Sequence, residues 1–208
     1  MFKGQRSRLK VVLIMGALGV LAAGSWALAQ LIFGMGEYPG GTLKVVYKFE
    51  RAEFGPSIYT MEVKPNGDRF DIIETVESKG RKADEIGSGF GPSGAAGAAR
   101  ARFEPRREDI IDLSPLSVLD EKKVELKPNE RYLLPDGAVL QTQNQDQIAG
   151  VTVIRGIYTH PNYPGQRVLL ALANLETSKL LLFPPFLERQ KDGKMVTRIT
   201  LIEFSYKK

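Results

Sequence analysis

The 208-residue chain has no cysteine and a single histidine, His160. Without cysteine there is no disulfide framework, no thiolate zinc site, no Cys nucleophile and no lipid-modified N-terminal cysteine. A lone histidine excludes a multi-His metal site and argues against a His-based catalytic triad. Acidic residues are missing from the first 36 positions, where Lys3, Arg6, Arg8 and Lys10 all precede the first carboxylate, Glu37. Of 29 basic residues four lie there, which leaves 25 against 24 acidic groups in the rest of the chain. The net charge of +5 therefore belongs mostly to the leader, and a near-neutral remainder behind it speaks against a nucleic-acid partner.

Behind the four cations stands VVLIMGALGVLAAGSWALAQLIFG, residues 11–34, whose one strongly polar member is Gln30. A stretch of this length spans a hydrocarbon core of about 30 Å as a helix, and the basic flank sets the N-terminus in the cytoplasm. Two readings stand: a retained signal anchor, or a signal peptide cleaved after Ala29, since Ala27-Leu28-Ala29 has the small-x-small pattern of a processing site. Both divide the chain into an N-terminal anchor or signal peptide at 1–36 and an exported domain at 37–208. Both make the cell envelope its location, with the domain outside the cytoplasm and the membrane as its first partner.

From Thr42 onward the hydrophobic period is two rather than 3.6, which predicts strands. Leu43, Val45, Tyr47 and Phe49 share one face of a first strand, with Lys44 and Lys48 on the other. The run Ile58 to Val63 follows. The turn Pro65-Asn66-Gly67-Asp68, read as an Asn-Gly type I′ hairpin, leads into Phe70 to Val76, so that three strands make a meander. Residues 80–107 interrupt the pattern. GSGFGPSGAAGAARAR, residues 87–102, has too little apolar bulk to offset its ordering entropy and reads as a flexible insertion. It contains no G-x-x-x-x-G-K-[ST] phosphate-cradling motif. Arg100, Arg102, Arg106 and Arg107 then form a basic cluster suited to acidic headgroups or an acidic protein.

Ser114-Pro115 reads as an N-cap followed by proline at the first helical position, with Leu116 and Leu119 seating one short helix on the sheet. Further strands are predicted at 132–134, 138–142, 151–158, 167–173, 180–188 and 195–206. Pro184-Pro185 confines the 180–188 stretch to an edge or a bulge, and the phase slip after Leu201 predicts a bulge in the last strand. Lys191-Asp192-Gly193-Lys194 is a hairpin turn. The predicted fold is mainly β: a curved antiparallel sheet or incomplete barrel with one short helix.

Two stretches carry a family resemblance: DQIAGVTVIRGIYT from Asp146 to Thr159, and RVLLALANLETSKLLLFPPFLERQKDGKMVTRITLIEFSY from Arg167 to Tyr206. Their order of strand entry, apolar strand, polar turn at Asn174 to Thr177, returning strand and K-D-G-K-x-V-T-R hairpin resembles the outer-membrane lipoprotein-sorting and carrier (LolA-like) superfamily. That resemblance implies an antiparallel sheet curled around a helical plug, with an apolar cavity for acyl chains. Regulators of the envelope-stress sigma-factor type use a similar domain.

Converging catalytic groups are scarce. His160 sits in a Pro/Gly-rich turn where a surface hydrogen bond accounts for it. Asp109, Asp112, Asp120 and Glu121 do not form the D-x-[DN]-x-[DN]-G calcium loop, and Ser93 in GPSGA lacks the G-x-S-x-G elbow. No enzyme, no metal and no cofactor is expected. The reading is a non-enzymatic envelope protein that binds a lipid or an acylated (lipoprotein) partner in an apolar cavity lined by Leu170, Leu172, Leu181 and Phe183. These come from the stretches Val168 to Leu172 and Leu180 to Phe183, which hold more aliphatic residues than one buried face requires. The alternatives are a membrane-anchored sensor or scaffold that binds an envelope protein partner and, behind it, a hydrolase with an unrecognised site.

Overall fold

The computed structural model describes residues 38–52, 54–78 and 111–208. The signal-anchor or signal-peptide segment, the Gly/Ala-rich insertion, the arginine cluster, Ser93 and Asp109 lie outside the described residues.

Nine strands form one open sheet: β1 (Thr42–Arg51), β2 (Phe54–Asn66), β3 (Arg69–Ser78), β4 (Arg131–Leu133), β5 (Val139–Ile148), β6 (Val151–Thr159), β7 (Gln166–Ala173), β8 (Phe186–Lys191) and β9 (Lys194–Lys207). The order across the sheet is β3-β2-β1-β9-β8-β7-β6-β5-β4, and every pairing is antiparallel. Two meanders, β1 to β3 and β4 to β9, are thus joined by the β1/β9 seam, and β3 and β4 are the two edges. This is the mainly β, open antiparallel architecture expected from the period-two pattern.

The alternation in β1 defines the faces. Leu43, Val45, Tyr47 and Phe49 are buried, and register carries their face to Met61 and Val63 on β2, Ile199 and Leu201 on β9, Leu187 on β8 and Leu170 on β7. On the other face Lys44 pairs with Glu203 at 2.8 Å, and Arg198 stands between Glu188 at 2.6 Å and Glu50 at 3.8 Å. The phase slip in the last strand is a bulge: Val46 faces Glu203 and Tyr47 faces Leu201, so Ile202 is the extra residue. It is pushed into solvent, and Phe204 and Tyr206 return to the core face opposite Val45 and Leu43.

Two segments cover the core face. One begins at Ile111 and continues through a 3-10 turn (Ser114–Leu116) into α1 (Ser117–Glu121), burying Ile111, Leu113, Leu116 and Leu119. The Tyr158 hydroxyl of β6 donates to the Asp112 carbonyl at 2.6 Å and ties this segment to the sheet. Ser114 is not the cap itself. The Asp112 carboxylate accepts from the Ser114 amide and from its hydroxyl, each at 2.9 Å, because a carboxylate two residues upstream can reach both donors of the first turn. The other cover is Leu180 to Pro185, preceded by a second one-turn helix, α2 (Leu175–Ser178). Asn174 caps α2 by accepting from the Thr177 amide at 2.9 Å.

Several local expectations change. The 180–188 stretch is not one strand: β8 starts only at Phe186, after the two prolines that cannot donate to a ladder, and it lies inside the sheet rather than at an edge. Asn66 pairs with Arg69, so the first hairpin loop is Gly67-Asp68, with φ +63° at Gly67 and no positive φ at Asp68. That is the type II′ pattern, which needs positive φ at the first loop position alone, rather than type I′. His160 is buried, not at the surface. Its Nδ1 accepts from the Asn162 amide at 3.2 Å and its ring meets Tyr163 edge-on at 5.1 Å.

The β8/β9 loop does have type I′ character, with φ +51° at Asp192 and +76° at Gly193. Nothing lies within 4 Å of where a Gly193 Cβ would stand, so Gly193→Val meets only backbone strain. The expected loss is about 1–2 kcal/mol, read from a chemical denaturation midpoint.

Candidate functional site

The four residues expected to face a ligand are close together, but the space between them is small. Leu170, in β7 opposite Gly156 and Leu187, is buried, as is Leu181; Leu172 and Phe183 are half-buried. Leu172, Leu181 and Phe183 line, with Ala173, Pro184 and Pro185, a cavity of about 10 Å³, which is the room one water needs. Leu170 lies outside its lining.

The lid over that interior is held by β1. The Tyr47 hydroxyl donates to the Phe183 carbonyl at 2.8 Å and receives the Phe183 amide at 3.4 Å. Phe183 packs edge-on against the rings of Tyr47 at 5.6 Å and Phe49 at 5.4 Å. Burial pushes the Tyr47 phenol well above its ordinary pKa, so it is a permanent donor here rather than an acid. Tyr158, whose pKa burial also raises, plays the same part for the Asp112 segment.

Several charged groups pair with one another along the sheet. Arg155 bonds Asp146 at 2.7 Å, and this hydrogen bond lowers the Asp146 pKa below the usual carboxylate range. Glu188, the one buried carboxylate among the described residues, is bound by Arg198 and by the Gln190 amide. Among the described residues no group of three His, Cys, Asp or Glu is placed to hold a metal ion.

The open surfaces lie at the two sheet edges. Beside β4 a cleft of about 550 Å³ is bounded by Val118 and Leu119 of α1, Leu133, and the cations Lys122 and Arg131. At the opposite edge every residue of β3 from Arg69 to Glu77 is exposed. Phe70 at 42%, Ile72 at 57% and Val76 at 37% exposure share the core face, since they pair with Pro65, Val63 and Tyr59, and Ile73 at 52% faces the other way. These are large apolar side chains on a face that is covered elsewhere in the sheet. Phe70 to Val76 is placed in the meander by its sequence, with no role attached; the signal is Ile72-Ile73, apolar on both faces of a strand that has one neighbour among the described residues.

No family model matches the chain, and no curated protein matches it. Similar solved structures include the MucA/MucB complex of Pseudomonas aeruginosa, with 14% identity and a TM-score of 0.41, covering 88% of this chain and 56% of that one. MucB in complex with MucA(peri) has 13% identity and a TM-score of 0.39, with 89% of this chain and 56% of that one covered. MucB alone has 13% identity and a TM-score of 0.38, with coverages of 90% and 60%. The chain spans less than two thirds of the length of each of these structures.

Proposed function

We propose that the chain is a non-enzymatic binding module, exported from the cytoplasm, whose ligand is a protein partner. The observation that supports this is the distribution of apolar surface. The cavity at Leu172, Leu181 and Phe183 has about 10 Å³ free, while Phe70, Ile72, Ile73 and Val76 stand in solvent on one strand. Contiguous exposed apolar residues of this size mark interaction surfaces more often than scattered ones do.

The test is in-cell photo-crosslinking with p-benzoylphenylalanine at Ile72 and, for comparison, at the exposed Thr152 on β6. A discrete heterologous adduct is expected from Ile72 and none from Thr152. No adduct at Ile72, or equal adducts at both positions, overturns the reading.

The acyl-binding alternative draws its support from the cleft beside β4, whose volume lies within the range of small-molecule sites and whose Lys122 and Arg131 suit an anionic headgroup. A fluorescent fatty-acyl probe should then bind saturably and lose affinity in Leu133→Glu, an exposed position. Loss in Leu181→Arg, without loss in Leu133→Glu, would return the ligand to the interior residues Leu170, Leu172, Leu181 and Phe183. No saturable binding removes the lipid reading.

A further inference from the structure

We infer that β3 is a strand-addition edge that takes up an extended polypeptide segment in which apolar residues alternate with lysine or arginine; this rests on the partner-binding reading and specifies its site, geometry and ligand chemistry. The two edges of the sheet are built differently. β4 is three residues long and is followed within two residues by Pro135, which keeps it short. β3 is ten residues long, contains no proline, and runs in unbroken register with β2 from Ser57↔Ser78 to Asn66↔Arg69. An edge strand turns every second amide and carbonyl outward, so a long, straight one is a template for another strand, and folded proteins ordinarily blunt such edges with prolines, bulges or short length. β3 has none of these three; of the other devices its described residues carry only charge, Asp71 and Glu77 on the outer face and Glu74 on the core face.

Side chains along the edge describe what fits. A tenth strand beside β3 would set one face over Phe70, Ile72 and Val76, with the Glu74 carboxylate between the last two held by the Tyr59 hydroxyl, extending the row begun by Met61 and Val63, with Tyr38 edge-on to Phe70 at 5.2 Å at one end. Alternate residues of the incoming segment must therefore be apolar. The charge is one-sided. Asp68, Asp71, Glu74 and Glu77 line the hairpin and strand against Arg69 and, opposite Asp71, Lys64, which pairs with Glu62 instead; among the described residues no ion pair engages any of the four carboxylates. Their hydrogen-bond donors are neutral: Tyr59 to Glu74, and the Asn66 amide to Asp71 at 3.1 Å. Both leave the negative charge in place. A segment bearing Lys or Arg between its apolar residues meets this field, whereas a second copy of the same edge would bring like charge to like.

The test uses the full chain in detergent and two synthetic octapeptides, one alternating valine with lysine and one alternating valine with glutamate, with amide hydrogen exchange as the readout. The valine-lysine peptide should slow exchange in Arg69–Ser78 by about tenfold or more and leave β4 and β5 unchanged. The valine-glutamate peptide should do nothing. The same valine-lysine peptide with N-methylated backbone amides, which keeps side chains and charge but cannot form a ladder, should also do nothing. Ile72→Lys, at a position already more than half exposed, should abolish the protection without altering the fold.

Equal protection by the N-methylated peptide makes the contact a charge effect and overturns strand addition. Equal protection by the glutamate peptide overturns the basic-partner assignment, and protected β3 amides in a self-associated chain without peptide make the occupant a second copy. If peptide protection fails while the Ile72 crosslink persists, strand addition falls and the partner-binding reading stands. If the crosslink is absent too, both fall.

Discussion

Tyr47→Ala should lower the unfolding free energy by about 3–5 kcal/mol, the range for truncating a large buried aromatic residue. Tyr47 sits in the middle of β1 with no exposed surface, between Tyr59 on β2 and Leu201 on β9. Its ring supports Phe49 and Phe183, and its hydroxyl holds the Phe183 carbonyl. Truncation removes the ring contacts and leaves that carbonyl without its donor. Since small domains hold only about 5–15 kcal/mol in total, the variant should sit close to its unfolding threshold at growth temperature.

Tyr47→Phe separates the two contributions. It keeps the ring and loses only the hydrogen bond, for an expected loss of about 1–2 kcal/mol. The local consequence is more informative than the global one: with the hydroxyl gone, amide exchange should quicken at Leu181 to Phe183 before it does in β1. Equal quickening in both would mean that the lid and strand open together and that Tyr47 does not pin the lid separately.

Much of the architecture could be read from residue order because period-two burial is a local signal. Leu43, Val45, Tyr47 and Phe49 state their face without any tertiary information, and the slip after Leu201 marked the bulge at Ile202. Where the sequence misled, a nonlocal partner decided the outcome. Leu180 to Phe183 has the composition of a strand, yet it packs over the sheet because Tyr47, 136 residues away from Phe183, satisfies its backbone polar groups. The excess of aliphatic residues in β7 and 180–183 is a feature of composition, and composition does not say whether such residues surround a ligand or each other; Leu172, Leu181 and Phe183 line a cavity of about 10 Å³. The β3 edge was hidden for the opposite reason. Phe70 to Val76 looks like any half-buried strand, and only the sheet order shows that among the described residues no strand or segment covers it.

Gly41→Val should be the most damaging of the glycine substitutions, costing about 2–4 kcal/mol because strain and a backbone clash act together. Gly41 has φ +88°, and a Cβ built there would lie 2.3 Å from the Lys207 carbonyl oxygen and 3.0 Å from the Lys208 Cα. The obstructing atoms are backbone of β9, so no side-chain rotation relieves the contact; either β1 or the end of β9 must move. The first pairs to separate would be Thr42↔Lys207 and Leu43↔Tyr206, at the end of the seam that joins the β1–β3 meander to the other six strands. Amide exchange at these positions should rise while the β6/β7 pairs stay protected. Gly193→Val is the comparison, since it has similar positive φ but open space around its Cβ. If the two variants lose equal stability, backbone strain alone accounts for Gly41, and the close approach of β1 to β9 contributes nothing.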